Sequence, residues 1–513
     1  MMTFIRNTKL YATLLAVMFS LTSCLDKVPH SAILEKDALH TYQEAEQFVS
    51  GIYAQMKSSA LWSGYLTLVP EIQSDLVYAI DGYSNNYGDI WQWNIRPTNR
   101  EIESVYGALY GLIANCNFFL ERIGAVVAVQ TDDEKIAALD YYTGEVHMIR
   151  ALCYSELIKC FCKAYDPATA SEELGVVLRS KYSEPEGSRR ASLYDSYQFV
   201  LADLAEAERL LDVENDGYTN PWMTNAAACA LHARVALHMQ DWPTAIAYSS
   251  KLINHPTKAF ALSSASTAYS STMTYFDYMW NYDLATEIIW TIGFTTTSYG
   301  GALGQAFLNF NNDYTYYYPD YVPAQWVLNL YQSSDLRYDS YFQSLQTGYD
   351  HALVWPLLIK YYGNRDFISS YIYHVSQPKP FRLAEQYLIR AEAYCRQETP
   401  NYALASQDLT TLRKARFAAG GGNISLTADN CITQIAEERV RELYMEGFRL
   451  WDIKRWGKLY NNGQGFTRTP QSNSLAEGSS LKVTADHPLF VWPIPQHEIE
   501  SPGSEVEPNE SNF

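Results

Sequence analysis

A chain of 513 residues with 47% hydrophobic content is long enough for a large core and for two or more domain-sized units. Its formal net charge of −19 argues against nucleic acid as a partner and against electrostatic attachment to a membrane, since both need clustered Lys and Arg. The 41 Tyr and 12 Trp put much amphipathic ring surface on an acidic molecule, which suits neutral partners such as glycans.

The N-terminus reads as a leader. Arg6 and Lys9 precede a hydrophobic stretch, YATLLAVMFSLT, too short to span a bilayer as a stable helix. Leu21-Thr22-Ser23-Cys24 then follows as a small-residue cleavage site, so residues 1–23 are expected to be a signal peptide. Leu-Thr-Ser-Cys resembles a bacterial lipobox, in which Cys24 is lipidated and becomes the first residue of the mature chain. An ordinary secretory signal with a chance Cys is the competing reading. Losing Arg6 and Lys9 leaves 36 basic residues against 57 acidic ones, a net charge of −21. With no later run of 18 or more apolar residues, the anchor is expected to be lipid alone. The seven remaining Cys contain no CxxC pair and form neither a disulfide framework nor a zinc site; Cys153 and Cys160 read as small buried hydrophobes.

Residues 24–40 follow as the lipidated Cys and an extended tether, and 41–513 as one domain. The next distinctive stretch is DGYSNNYGDIWQWN, Asp81 to Asn94, in which Tyr83, Tyr87, Trp91 and Trp93 stand among Gly, Asn, Asp and Ser with no helical stripe. In an extended segment Trp91 and Trp93 face the same way. Rings so placed can stack on the C–H faces of sugars while Asn85 and Asn86 bond hydroxyls; the alternative is a short strand packing both tryptophans on the core. Asp81, Asn85, Asn86 and Asp89 carry oxygen ligands suited to calcium, but their spacing does not fit an EF-hand loop and no metal is assigned.

Periodicity predicts long helices over Val105–Ile123, Gly144–Lys163 and Tyr194–Leu211. Asn225–Met239 is rich in Ala, allowing close helix contact, and Asp241 with Pro243 opens a helix over Thr244–Ile253. The pattern returns at Leu383, Ala384, Tyr387, Leu388, Ala391, Tyr394 and Cys395, with Thr399-Pro400 opening a partner helix. Helix, capped turn, helix, with small residues at the contact, resembles tetratricopeptide-type hairpins, here about 101–254 and 381–458, without a regular 34-residue period. Between about 256 and 380 the chain is rich in Ser, Thr, Asn, Gly and aromatics, with short strands expected at Glu287–Phe294 and Val354–Tyr362. This stretch and residues 60–100 are the expected ligand side. Tyr278 and Trp280 (with Tyr275), then Tyr299 and Tyr314 (with Tyr316), are its weaker ring candidates; Trp290, Trp326 and Trp451 read as structural.

No GxSxG, HExxH, GxxxxGK[ST] or GxGxxG occurs, and the ten His form no i, i+4 ligand pair. Near the C-terminus, IAEERVRELYMEGFRLWDIKRWGKL (435–459) places Ala436, Val440, Leu443, Tyr444, Gly447, Phe448 and Trp451 on one face of a helix, with Glu437, Arg441, Glu442, Glu446 and Arg449 elsewhere on its surface. This pattern resembles the signature of the SusD/RagB family of lipid-anchored nutrient-binding proteins. GEVHMIRALCYSELIKCFCKAY (144–165), LGVVLRS (174–180), RRASLYDSYQFVLADLAEAERLL (189–211), PFRLAEQYLIRAEAYCR (380–396), DLTTLRKAR (408–416) and LFVWPIPQHEIESP (489–502) are similar to the family's other segments. The resemblance implies a mostly α fold, with tetratricopeptide-like hairpins on one side and an irregular ligand side bearing a few short strands. It also implies a non-catalytic glycan-binding protein facing the cell exterior at the outer membrane, acting as the lid of a SusC-like TonB-dependent transporter, without a cofactor. Two alternatives stay open: the same lid with peptide cargo and, more remotely, a secreted glycoside hydrolase.

Overall fold

The computed structural model describes residues 38–182, 187–310, 315–349, 353–471 and 475–513. The leader, Cys24 and Tyr314 lie outside them. Twelve helices of eight residues or more occur among the described residues, labelled here α1 to α12. The first seven are α1 (Tyr42–Met56), α2 (Tyr65–Gln73), α3 (Arg100–Ala128), α4 (Asp133–Phe161), α5 (Leu193–Leu210), α6 (Asn225–His238) and α7 (Trp242–Ile253). After them come α8 (Tyr275–Tyr282), α9 (Leu383–Arg396), α10 (Tyr402–Lys414), α11 (Cys431–Glu442) and α12 (Arg449–Trp456).

Local chemistry starts these helices. Thr41 and Glu44 close a capping box on α1; Asn99, Asp132, Ser192 and Thr224 accept N-terminal N–H groups of α3 to α6. Asp241 caps α7, with Pro243 in its first turn, and Asn401, rather than Thr399-Pro400, caps α10. Helices α3 to α7 pack in chain order, and α9, which follows the long excursion from 254 to 382, packs directly on α7 and then on α10. The hairpin array is thus continuous in space though interrupted in sequence. Alanines 226, 227, 228, 230, 233 and 236, all buried, let the neighbours of α6 approach closely. Among the described residues one helix, Arg100–Ala128, is long and apolar enough to cross a membrane. It packs instead as an amphipathic element on α1 and α4.

The excursion holds most of the strands, and all five sheets among the described residues are two-stranded and antiparallel. They pair Val77–Ala79 (β1) with Tyr321–Pro323, Ala268–Ser270 with Met273–Thr274, Ile288–Trp290 with Phe381–Arg382, Phe342–Gln346 with Val354–Leu358, and Phe466–Arg468 with Leu481–Val483. The predicted strands thus exist in shortened form, at 288–290 and 354–358.

The predicted 435–459 helix is corrected. It breaks between α11 and α12, where Met445 (φ 62°) and Gly447 (φ 89°) are left-handed. Gly447 packs closely: a Cβ there meets the Leu66 carbonyl and the Thr67 Cα at 3.4 Å. Arg441, Glu442 and Arg449, expected on the helix surface, are buried instead because distant segments supply their partners, while Glu437 stays part-exposed. Glu442 bonds Arg337, Arg382 and Arg416, and Arg449 pairs with Asp75 at 2.8 Å. The closing segment docks on both halves: the Trp492 indole N–H donates to Gln73 Oε1 at 2.8 Å, and its backbone N–H to the Cys160 carbonyl.

Candidate functional site

The first predicted platform is not a surface. Trp91 is fully buried and Trp93 is 8% exposed. The segment is not extended: Gly88–Trp91 forms one helical turn and Trp93 has φ 59°, so the two rings enter different parts of the core. The Trp91 indole donates to the Glu477 carbonyl at 2.8 Å and its face carries the Arg468 guanidinium, 3.5 Å from the ring centroid. Trp93 donates to the Gln73 carbonyl and meets Phe466, His487 and Phe490 edge-on. Neither ring can stack on a ligand, and both are withdrawn as contacts. Tyr83 and Tyr87 are half-buried, Tyr83 donating to Asn85 Oδ1 at 2.9 Å and Tyr87 standing edge-on to Tyr65. Asn85 and Asn86 are exposed. Tyr299 is exposed, on a turn whose following glycines pack against residues 57–63, and it does not line the cleft described next. Tyr275 is exposed and Tyr316 half-buried.

A cleft of about 810 Å³ opens in the loop-rich half. Its walls come from the 268–274 hairpin, α8, the turn Arg337–Tyr341, Ile359 to Gly363 and the turn Arg365–Ile368. Helix α8 explains much of its character. Phe276, Met279 and Trp280 form the buried face, which fixes the helix against the core. Asp277 and Asn281, one turn apart, then point into the cleft. Their polar groups are already oriented. Asp277 completes a capping box with Thr274 and accepts the Ser340 hydroxyl at 2.6 Å, while Arg365 donates to Asn281 Oδ1 at 3.0 Å.

Trp280 is 4% exposed and forms the floor. It is therefore corrected from an exposed platform to a buried wall. The Lys360 ammonium lies 4.1 Å from its ring centroid and the Lys379 ammonium at 4.9 Å. Burial pushes Lys360 down to about 8, against the upward pull of Glu446, 2.6 Å away. Glu446 also accepts from Arg382 Nε and Nη2, while Arg382 Nη1 donates to Glu287 and Glu442. Burial alone raises a carboxyl pKa, but around Glu442 the guanidiniums of Arg416, Arg382 and Arg337 outweigh it and hold it well below the usual range. This buried ionic net ties the floor of the cleft to α11.

Beside the cleft, on the same hairpin and helix but not among its lining residues, stands a group of rings. Tyr275, Tyr278 and Tyr282, at i, i+3 and i+7, share the outer face of α8, and Tyr269 from the neighbouring hairpin joins them. Tyr269 and Tyr278 lie 4.0 Å apart between centroids at 32°, Tyr278 and Tyr282 4.8 Å apart at 27°. Tyr269 is 48% exposed. Across the opening Tyr362 lines the cleft, its hydroxyl 3.5 Å from that of Tyr317. The sequence reading named Tyr278 but missed Tyr269 and Tyr282. The signal that finds Tyr282 is the i, i+3, i+7 tyrosine spacing, hidden inside a segment whose composition reads as loop. No group of three or more His, Cys, Asp or Glu among the described residues is arranged to hold a metal.

Two family models match the chain. One, described as starch-binding associating with outer membrane, covers residues 24–237; the other, the SusD family, covers 346–507. A SusD-like protein of Formosa agariphila is 23% identical over 234 residues, 45% of this chain and 42% of that protein, so the match spans under half of that relative. Solved structures share the fold. A SusD superfamily protein of Bacteroides thetaiotaomicron aligns with TM-score 0.75 at 19% identity, covering 91% of this chain and 99% of the other. A putative sugar binding protein of Bacteroides vulgatus gives 0.74 at 21% identity, covering 93% and 100%. A surface glycan-binding protein A of Bacteroides uniformis gives 0.70 at 17% identity, covering 91% and 99%. The chain belongs to the SusD/RagB family and has its mostly α fold.

Proposed function

We propose that this chain is a non-catalytic glycan-binding protein of the cell surface, anchored to the outer membrane through Cys24, that takes its ligand at the cleft over Trp280 and passes it to a SusC-like TonB-dependent transporter as its lid. One observation carries the binding site: a ladder of tyrosines, Tyr269 and Tyr275 exposed and Tyr278 and Tyr282 half-buried, beside a cleft of about 810 Å³ whose Asp277, Asn281, Ser340 and Arg365 are held in place. Sugar rings present apolar faces to such tyrosines and hydroxyls to such polar groups. Asn85, Asn86, Tyr83, Tyr87 and Tyr299 belong to other surface segments and supply secondary contacts at most. Family membership supports the transporter and the outer-membrane location, and Leu21 to Cys24 supports the anchor.

By analogy with bases on aromatic platforms, each ring contributes about 1–3 kcal/mol. Tyr278→Ala should therefore weaken glycan binding about tenfold or more, tenfold being 1.4 kcal/mol. The measurement is calorimetric titration of the soluble form beginning after Cys24 against plant, host and microbial polysaccharides and a peptide pool, with Tyr278→Ala and Tyr269→Ala beside the wild type. Binding of one glycan class, lost in these variants and retained in Tyr299→Ala, supports the proposal. Binding of peptides alone makes the cargo wrong, and glycan binding indifferent to both ladder variants makes the site wrong.

A further inference from the structure

One wall of the cleft carries a ring that the fold leaves unused. Residues 363–375 leave the interior and return to it as a closed loop: the His374 N–H donates to the Tyr362 carbonyl and the Asn364 N–H to the Val375 carbonyl. Its first half is firmly held. Phe367 is buried, the Asn364 side chain caps the turn Arg365–Ile368 and donates to Asp283 Oδ2 at 2.8 Å, and Arg365 fastens the loop to Asn281 of α8. Arg365, Ile368 and Ser369 line the cleft. Tyr371 follows at once, its N–H donating to the Ile368 carbonyl at 2.9 Å. Its ring is 84% exposed and, among the described residues, makes none of the ring contacts that hold Tyr362 and Tyr373 against Phe310.

A lone exposed ring needs no explanation, but this one stands on a left-handed backbone, φ 63°, which suits Gly, Asn or Asp and disfavours a bulky side chain. Strain of that kind persists where the surrounding structure imposes it, and it clusters at ligand contacts. Position indicates the ligand. The tyrosine ladder runs from Tyr269 through Tyr278 to Tyr282, and Tyr282 adjoins Asn281, the residue that accepts Arg365. The loop therefore begins where the ladder ends. We propose that Tyr371 is a further sugar platform that continues the ladder, so that the ligand of this site is a chain longer than the ladder alone can hold. This rests on the glycan reading of the cleft and adds to it the length of chain that the site grips. A short oligosaccharide occupies the ladder and the cleft, and only a longer one also reaches the tip of the loop. Tyr371 acts there by stacking on an apolar C–H face, for which a phenyl ring is sufficient.

The test is calorimetric titration of the full chain, exported by a Gram-negative host and extracted in detergent, with malto-, cello-, xylo- and manno-oligosaccharides of three and six units. Tyr371→Asn, Tyr371→Phe and Tyr278→Ala run beside the wild type. In the series that binds, the wild type should take the hexasaccharide more tightly than the trisaccharide. Tyr371→Asn should weaken hexasaccharide binding tenfold or more, the loss of one stacking platform, and leave trisaccharide binding unchanged. Tyr371→Phe should keep both affinities. Because asparagine accepts a left-handed backbone, Tyr371→Asn should melt no lower than the wild type. A melting temperature several degrees lower makes the ring a structural one and overturns the proposal, as does an equal loss for both chain lengths. Hexasaccharide binding that falls in Tyr278→Ala but not in Tyr371→Asn overturns it while the cleft reading stands. Binding of no series by the wild type, or binding indifferent to Tyr278→Ala, overturns the cleft reading and this inference with it.

Discussion

Trp91→Ala separates a ligand platform from a core residue. In the structure the ring is fully buried, with Tyr78 and Tyr321 at its edges and its N–H on the Glu477 carbonyl. The heavier cost lies above it. Arg468 is itself 1% exposed, and among the described residues no carboxylate pairs with it. It donates instead to the carbonyls of Ser74, Gln73, Ile72 and Trp91, and burial pushes it down to about 9. The Trp91 face is thus one of few groups that stabilise this cation. Truncating a buried Trp costs about 3–5 kcal/mol. A desolvated cation–π contact adds about 2 kcal/mol, part of it already counted in the first figure. We expect a loss of about 5 kcal/mol in unfolding free energy, read by urea titration of the form beginning after Cys24 against the wild type. Glycan affinity per folded molecule should be unchanged. A loss below about 1 kcal/mol with glycan binding abolished would refute the burial argument and return Trp91 to the ligand site.

Three further outcomes follow from the same interior. Glu442→Ala removes a carboxylate from Arg337, Arg382 and Arg416 and should cost about 3–5 kcal/mol, leaving cations uncompensated; a melting temperature equal to wild type would show that the net is dispensable. Burial raises the Glu145 carboxyl, which accepts the Tyr53 hydroxyl at 2.8 Å, to about 8 against an ordinary 4.5. The folded state therefore holds a proton that the unfolded state has lost, and this group's contribution falls as pH rises from 4.5 to 8. Glu145→Gln should accordingly be more stable than wild type at pH 8, on the order of a few kcal/mol, with the gap closing by about pH 5. A gap independent of pH would contradict the assignment. His374 runs the other way: burial lowers it to about 4 from 6.5, so acidification from 6.5 to 4 protonates the unfolded chain first and stability falls. His374→Phe should flatten that limb of the pH–stability profile, and an unchanged profile would count against it.

How much was legible depends on the range of the interactions involved. The hairpin array could be read because capping and amphipathic spacing act within a few residues, as at Asp241 with Pro243 before α7 and along Leu383, Ala384, Tyr387 and Leu388 in α9. Gly447 was placed on the apolar face of the expected helix, although its left-handed backbone, which splits that helix into α11 and α12, was not legible. The family pattern rests on the same local repetition.

The site was legible only in kind. That tyrosines amid Ser, Thr and Asn mark the ligand side follows from composition; which rings are free does not. Trp91 and Trp93 stand on a polar, glycine-containing stretch, yet their burial is decided by Arg468, Phe466 and Phe490, more than 370 positions away in the chain. The tyrosine ladder similarly needs Tyr269 of a hairpin to meet Tyr278 of α8, and Trp280 becomes a floor only because Lys360 and the net around Glu442 close behind it. Sequence by itself determined most helices of the hairpin array, several of their caps and the family resemblance, since those depend on neighbours along the chain. Tertiary structure decided which aromatic faces meet solvent, because exposure depends on what long-range partner covers a ring.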